Sequence, residues 1–203
     1  MTKRIQAKSK ICRRLGVNLW GRPKNPIVKR DYPPGQHGAK RRKASDYSQQ
    51  LAAKQKLRRY YGNITERQFR RVYQEASRRR GDTAENMIGL LEQRLDIVVY
   101  RLNFVPTVFA ARQFVNHGHI LVNDHRVDIP SYQCKPGDVI QVREANRSRQ
   151  LAMRMLDMTQ ARPILDWLTM DRDKLVGSVS RVPEREEIDP MVNEQLVVEL
   201  YSR

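Results

Sequence analysis

RLDIVVYRLNFVPTVFAARQFVNHGHILVND, residues 94–124, decides the fold. It reads as helix, short turn, helix, glycine stop and the first strand of a hairpin. Leu95, Val98, Val99 and Leu102 fall at helical spacing and make one apolar stripe. Pro106 breaks the chain. Thr107 is a good N-cap for a second helix, because its hydroxyl can accept a backbone N–H of the first turn. Val108, Ala111 and Val115 form the buried stripe of that helix, with Phe109 or Phe114 at its edge. Gly118 supplies a left-handed stop. Arg94, Arg101, Arg112, Gln113, His117 and His119 lie off both stripes. The spacing predicts a compact unit, apolar inside and rich in Arg, Gln and His outside. Such a face suits a phosphate backbone, but a merely solvated face has the same pattern, so the rest of the chain must discriminate.

Downstream, ILVNDHRVDI (120–129) reads as a hairpin turning at Asn123-Asp124, and KPGDVIQV (135–142) as a turn and strand. Arg143 to Arg149 is a polar exit. Residues 150–170 read as a mixed helical stretch with Met153, Leu156, Leu165, Trp167 and Leu168, and residues 174–183 as strand. EREEIDP (184–190) is an acidic linker. In the tail, Asp189 is an N-cap and Pro190 suits the first helical position. Val192, Leu196, Val197 and Leu200 then share a face. A helix is expected there, although LVVEL also fits a strand.

Upstream, residues 1–46 are broken by Gly16, Gly21, Pro23, Pro26, Pro33, Pro34, Gly35 and Gly38, too often for long helices. Between the breaks stand Arg13, Arg14, Arg22, Lys24, Lys29, Arg30, Lys40, Arg41, Arg42 and Lys43, with Trp20, Tyr32 and His37 interleaved. An extended basic segment with planar side chains can thread between RNA helices, pairing phosphates and stacking on bases. A disordered basic tail is the bland alternative. PPGQHG (33–38) argues against it, because paired prolines and glycines specify a turn. Ser45 or Asp46 can cap a helix over 46–62 with Leu51, Leu57 and Tyr61 on one face. Lys54, Lys56, Arg58 and Arg59 surround that face. Thr65 opens another helix with Phe69, Val72, Tyr73 and Ala76 inside and Arg67, Arg70, Arg71, Arg78, Arg79 and Arg80 outside. Asp82 or Thr83 opens a third, with Met87, Ile88, Leu90, Leu91 and Leu95 as core. These helices are too short to stand alone, so they must pack together.

The net charge is +17 and the isoelectric point about 10.4, which points to a polyanion. Residues 1–85 hold 24 Lys or Arg against 6 Asp or Glu, a net of +18; residues 86–203 hold 15 against 16, a net of −1. The basic part lacks the bulky apolar face of a membrane-surface helix. No apolar run is long enough to span a bilayer, and MTKRIQAKSK has no apolar core of a secretory signal. Cys12 and Cys134 are lone thiols, better suited to a reducing compartment than to a disulfide scaffold. No phosphate-binding loop is present. Cys12 lacks a second cysteine at zinc spacing, and His117 and His119 lack a third ligand. Glu186 and Glu187 sit in a polar linker with no pocket signature. No catalytic residue, metal, cofactor or small-molecule substrate is expected.

PPGQHG, SDYSQQLAAKQKLRRYYG, ERQFRRVY, RLDIVVYRL, FAARQFVNHGHILVN, IPSYQCKPGDVI and the closing ELYSR together resemble the bacterial-type small-subunit ribosomal protein S-four family, in order and over essentially the whole chain. Residues 94–142 alone resemble only its RNA-binding module, which some RNA-modifying enzymes and an RNA chaperone share. The resemblance implies an α+β protein with an irregular basic N-terminal arm (1–45) and a helical first domain (46–93) joined by the C-terminal tail (184–203). The second domain (94–183) would carry the RNA-binding module, two helices and a small antiparallel sheet over 94–142 or slightly beyond.

The resemblance also implies early binding to the 5′ domain of small-subunit rRNA, nucleation of assembly, and neighbouring small-subunit proteins as partners. It implies a place near the mRNA entry site in a cytoplasmic (or organellar) ribosome and a part in decoding accuracy. Lys40, Arg41 and Lys43 become candidates to face mRNA. Several family members carry a four-cysteine zinc site in the arm; only Cys12 stands here, so no zinc is expected. Asn103 and Asp124 stand where glycine is common. A free RNA chaperone or an rRNA-modifying enzyme is the rival reading, but the roughly 60 residues after 143 are too few for a catalytic domain.

Overall fold

The computed structural model describes residues 7–40, 43–188 and 192–202. The chain divides into two compact units, Met1–Tyr73 with Asp189–Arg203, and Gln74–Ile188.

In the first unit the arm is not wholly irregular. Lys8–Leu15 forms helix α1, and Gly16 ends it at φ 69°. No glycine or proline falls between Lys8 and Leu15, and Cys12 has apolar neighbours to pack on. It is 1% exposed, and Leu19 beyond the helix 2%. After Gly16 the arm follows expectation: turns and one 3-10 turn, Pro26–Val28, whose Ile27 N–H is accepted by Asn25 Oδ1. Helix α2 spans Asp46–Tyr60, and Ser45 Oγ accepts the Ser48 N–H. Its buried face is Gln50, Ala53 and Leu57, continued by Tyr61; Leu51 is only half-buried. The reason is helix α8, Gln195–Tyr201, which packs along α2. Gln50 Nε2 donates to the Glu199 carboxylate at 3.0 Å, so a polar side chain occupies a core-facing position.

The tail is therefore helix, starting at Gln195 with Asn193 Oδ1 accepting the Gln195 N–H. The caps expected at Asp189 and Pro190 lie outside the described residues. Helix α3, Glu66–Arg78, begins at Thr65, whose Oγ1 accepts the Gln68 N–H. The border between the units falls inside α3, at Tyr73/Gln74.

In the second unit, helix α4 (Thr83–Glu92) is capped by Asp82, which accepts the Ala84 and Glu85 N–H groups. Helix α5 spans Leu95–Arg101 and α6 Val108–Asn116. Leu95, Val98, Val99 and Leu102 are all fully buried, and Phe114 rather than Phe109 completes the α6 stripe. Thr107 Oγ1 accepts the Ala110 N–H at 3.1 Å. By compactness α4 groups with the elements that follow it. Its apolar residues pack on α5, and the connection between them is pinned from the far side. Leu95 and Asp96 donate to the Tyr132 and Pro130 carbonyls, and Cys134 donates to that of Gln93.

The sheet is antiparallel with strand order β2-β1-β3-β5-β4. The strands are β1 Ile120–Val122, β2 His125–Arg126, β3 Val139–Val142, β4 Leu168–Asp171 and β5 Val176–Val179. Asn123 (φ 50°) and Asp124 (φ 66°) make the left-handed pair of a two-residue hairpin turn. Two expectations change here. Helix α7 runs over Asn146–Asp157, starting inside the expected polar exit, and the mixed helical reading to 170 fails at its end. Pro163 cannot continue a helix. Trp167, 0% exposed, enters the core just before Leu168–Asp171 pairs with β5. The acidic linker is also more ordered than expected. Arg185–Glu187 is a 3-10 turn held by a capping box between Glu184 and Glu187, with Ile188 buried beyond it.

Gly177 on β5 lies so close to Leu102 that a Cβ there would come within 2.5 Å of Leu102 Cδ2. The sheet and the end of α5 meet through that absence of a side chain.

Candidate nucleic-acid interface

The arm presents Arg14, Arg22, Lys24, Lys29, Arg30, His37, Lys40 and Lys43 as exposed side chains. Arg13 is structural. Its Nε donates to the Tyr32 carbonyl at 3.2 Å and its Nη2 to that of Pro33 at 3.3 Å. Its guanidinium also sits 4.8 Å over the Tyr32 ring, covering one stacking face. The Pro33–Gly38 turn is specified, as its residues predict. Gly38 N–H donates to the Gly35 carbonyl, and a Cβ on Gly38 would overlap the Pro33 carbonyl. Together with Arg14 and Ser48 the turn lines an open cleft of about 1090 Å³. Arg41 and Arg42 lie outside the described residues.

On the first helices the charge is partly committed internally. Lys54 and Arg58 both pair with Glu66, at 2.9 and 3.1 Å, and Arg59 donates to Asn63 Oδ1. Lys56 is half-buried, whereas Arg67, Arg70 and Arg71 on α3 are exposed. Burial lowers the Lys8 ammonium below its usual value and Arg22 lowers it further; burial and then Arg58 do the same to Arg59. A cation held beside another favours a polyanionic partner, which relieves the repulsion.

In the module the three arginines differ from the expected outward face. Arg94 is 1% exposed. Its Nε and Nη2 donate to both oxygens of Asp96, at 3.0 and 2.9 Å. Arg112 Nη1 reaches the same carboxylate at 3.4 Å. Arg101 grips the fully buried Glu92 carboxylate through Nε at 2.9 Å and Nη2 at 2.7 Å. Arg94 is therefore closed to solvent in this fold. Glu92 and Asp96, lone acids inside an apolar run, were the sequence signal: each needs a buried counterion.

Gln113 and His117 are exposed. His119 is half-buried, its Nδ1 2.8 Å from Ser148 Oγ and its ring stacked on Phe114 at 4.8 Å. Burial lowers the His119 imidazole below its usual value, and His117, Arg143 and Arg126 push it the same way. Arg126 and Arg143 escaped the sequence reading, because a lone basic residue in a strand or exit carries no periodic signal. Arg147, Arg149 and Arg154 on α7 were missed likewise. Arg162, also missed, is structural. It donates to the Tyr100 and Pro106 carbonyls at 3.2 and 3.0 Å and lies 4.3 Å from the Tyr100 ring centre, closing the turn between α5 and α6.

Among the described residues no three His, Cys, Asp or Glu side chains gather as a metal would need. No helix among them is long and apolar enough to cross a membrane. What the geometry offers, on each unit, is a set of exposed cationic side chains suited to phosphates.

Residues 3–92 match the family model for the ribosomal protein S4/S9 N-terminal domain, and residues 93–140 match that for the S4 domain. The chain is similar to the small ribosomal subunit protein uS4 of Acidiphilium cryptum, 58% identical over 207 residues, and of Maricaulis maris, 57% over 205. It is similar to that of Mesorhizobium japonicum too, 55% over 206 residues. In each case the whole of both chains is covered.

Proposed function

We propose, since the chain belongs to the uS4 family of small ribosomal subunit proteins, that it is a non-enzymatic structural component of that subunit and binds its rRNA directly. Within this reading it is a primary binder of the 5′ domain, joins early, nucleates assembly and lies near the mRNA entry site beside neighbouring ribosomal proteins. Its contact with one of them contributes to decoding accuracy. The observation that carries the reading is the exposed cationic surface from Arg14 to Arg71, on a chain whose first 85 residues hold a net of +18.

The exposure of these side chains supports a division of labour. Arg14, Arg22, Lys24, Lys29, Arg30, Arg67, Arg70 and Arg71 neutralise phosphates where rRNA helices converge. Lys40, with Lys43, lies nearest to mRNA. Gln113, His117 and His119 contact backbone and 2′-hydroxyls from the module. Specificity comes from RNA shape, because the A-form major groove is too narrow to read. Six to ten phosphate contacts imply a loss of roughly 10³–10⁵ in affinity from 50 to 200 mM salt. A filter-binding titration on the 5′-domain transcript checks this; a slope near zero overturns it. Stoichiometric co-sedimentation with small subunits at moderate salt separates this reading from that of a free RNA chaperone.

A further inference from the structure

His119 sits where three elements bring basic side chains together. His117 ends α6 and its ring centre is 6.0 Å from that of His119. Arg126 on β2 lays its guanidinium over Gly118, the residue between the two histidines, so closely that a Cβ there would overlap it. Arg143, just after β3, donates its backbone N–H to the His119 carbonyl at 2.8 Å. Neither Arg126 nor Arg143 has a carboxylate partner among the described residues. The ring itself is fixed on two sides, by Phe114 and by Ser148, which is 3% exposed. With Nδ1 engaged by Ser148, Nε2 is the ring nitrogen left to meet a ligand.

We propose that His119, with His117, Arg126 and Arg143, forms one site for an RNA backbone phosphate, and that filling it adds a proton to His119. The inference rests on the rRNA-binding reading above and deepens it. The balance is simple: neutral imidazole plus a proton from solvent gives imidazolium, whose Nε2–H donates to a phosphate oxygen. In the free protein burial and the neighbouring cations favour the neutral imidazole of His119. The groups facing it are His117 on α6, Arg126 on β2, Arg143 beyond β3 and the uncharged Ser148 on α7. Arg147 and Arg149 flank Ser148 in sequence, and Glu144 is exposed beside Arg143. A phosphate among these cations reverses the sign of the local field, and the charged imidazole becomes the favoured form. Linkage then fixes the direction. The complex binds one more proton than its parts, so affinity rises as pH falls between the bound and free titration midpoints. The rise is up to about tenfold per pH unit for one proton.

The test uses the full chain and the 5′-domain transcript of small-subunit rRNA. Calorimetric titration at pH 7 in two buffers of different ionisation heat counts protons directly. Net uptake of up to about one proton by the wild type, lost in His119→Gln and retained in His125→Gln, supports the site. Arg126→Gln and Arg143→Gln should each weaken binding and lower the salt slope by about one. No uptake by the wild type, or uptake that survives His119→Gln, overturns the proposal while leaving the rRNA-binding reading intact. Failure of the wild type to bind at any pH overturns both. NMR of the wild type removes any dependence on variant folding: the His119 titration midpoint must rise on adding RNA, and an unchanged midpoint overturns the site.

Discussion

Arg94 donates two hydrogen bonds to Asp96 from a site almost closed to water, so truncating it leaves a buried carboxylate short of its main partner. Arg94→Gln should destabilise the fold by about 3–5 kcal/mol, toward the lower end because Arg112 also reaches Asp96. Urea unfolding measures the loss; the salt slope of RNA binding by the folded protein should not move. Tyr201 gives a second case at this scale. Its hydroxyl donates to Glu66 at 2.7 Å, and its ring stacks on Tyr73. Burial pushes the Glu66 carboxyl up, but Tyr201, Lys54 and Arg58 outweigh it and hold it below its ordinary value of 4.5. A depressed carboxyl stabilises the fold fully above the unfolded value, and the contribution disappears as pH falls through the folded one. Tyr201→Phe should therefore lose about 1 kcal/mol at pH 7, discounted because Glu66 is nearly half exposed. It should also flatten the loss of melting temperature between about pH 5 and 3, where an unchanged acid limb would contradict it.

The hairpin between β1 and β2 and the approach of β5 to α5 make opposite demands on a single side chain. Asp124 holds φ 66° in the turn, a conformation that costs an L residue roughly 1 kcal/mol. Its exposed hydrogen bond from Gln141 Nε2 returns little of that. Asp124→Gly should raise stability by about 0.5–1 kcal/mol. At Gly177 the reverse holds. Alanine there would press on Leu102 and the Thr169 carbonyl, and should destabilise by about 1–3 kcal/mol. Thermal melts of the two variants should move in opposite directions. Elements with a strong period and a cap were legible in the sequence: α4, α5, α6 and the Asn123-Asp124 turn. Those whose residues obey a distant partner were not. Gln50 lies on the buried face of α2 because α8 supplies Glu199, 149 positions away. Leu168–Asp171 is strand because β5 pairs with it. The short α1 was masked by the breakers that follow it.

Across the whole molecule, composition pointed to a polyanionic partner and placed the excess positive charge in the front of the chain. It could not show which cations are exposed, because that depends on where the carboxylates fold. Glu66, Glu92 and Asp96 engage five of the Lys and Arg side chains expected at the interface. The arm lacks such acids, since Asp31 is the only one before Asp46, and Arg14, Arg22, Lys24, Lys29, Arg30, Lys40 and Lys43 remain exposed. If the arm supplies electrostatic affinity while the module supplies orientation, the two should separate in a salt titration. Changing Arg14, Arg22, Lys24, Lys29 and Arg30 together to Gln should reduce the slope of log K against log salt by about 3–5. Stability should stay nearly constant, because all five side chains are exposed. At 50 mM salt the variant should still protect the same rRNA sites from chemical probing, since the module that orients it is untouched. A slope equal to that of the wild type would mean that the arm's cations do not sit on phosphates. A lost protection pattern at low salt would mean that the arm, and not the module, sets the position on RNA.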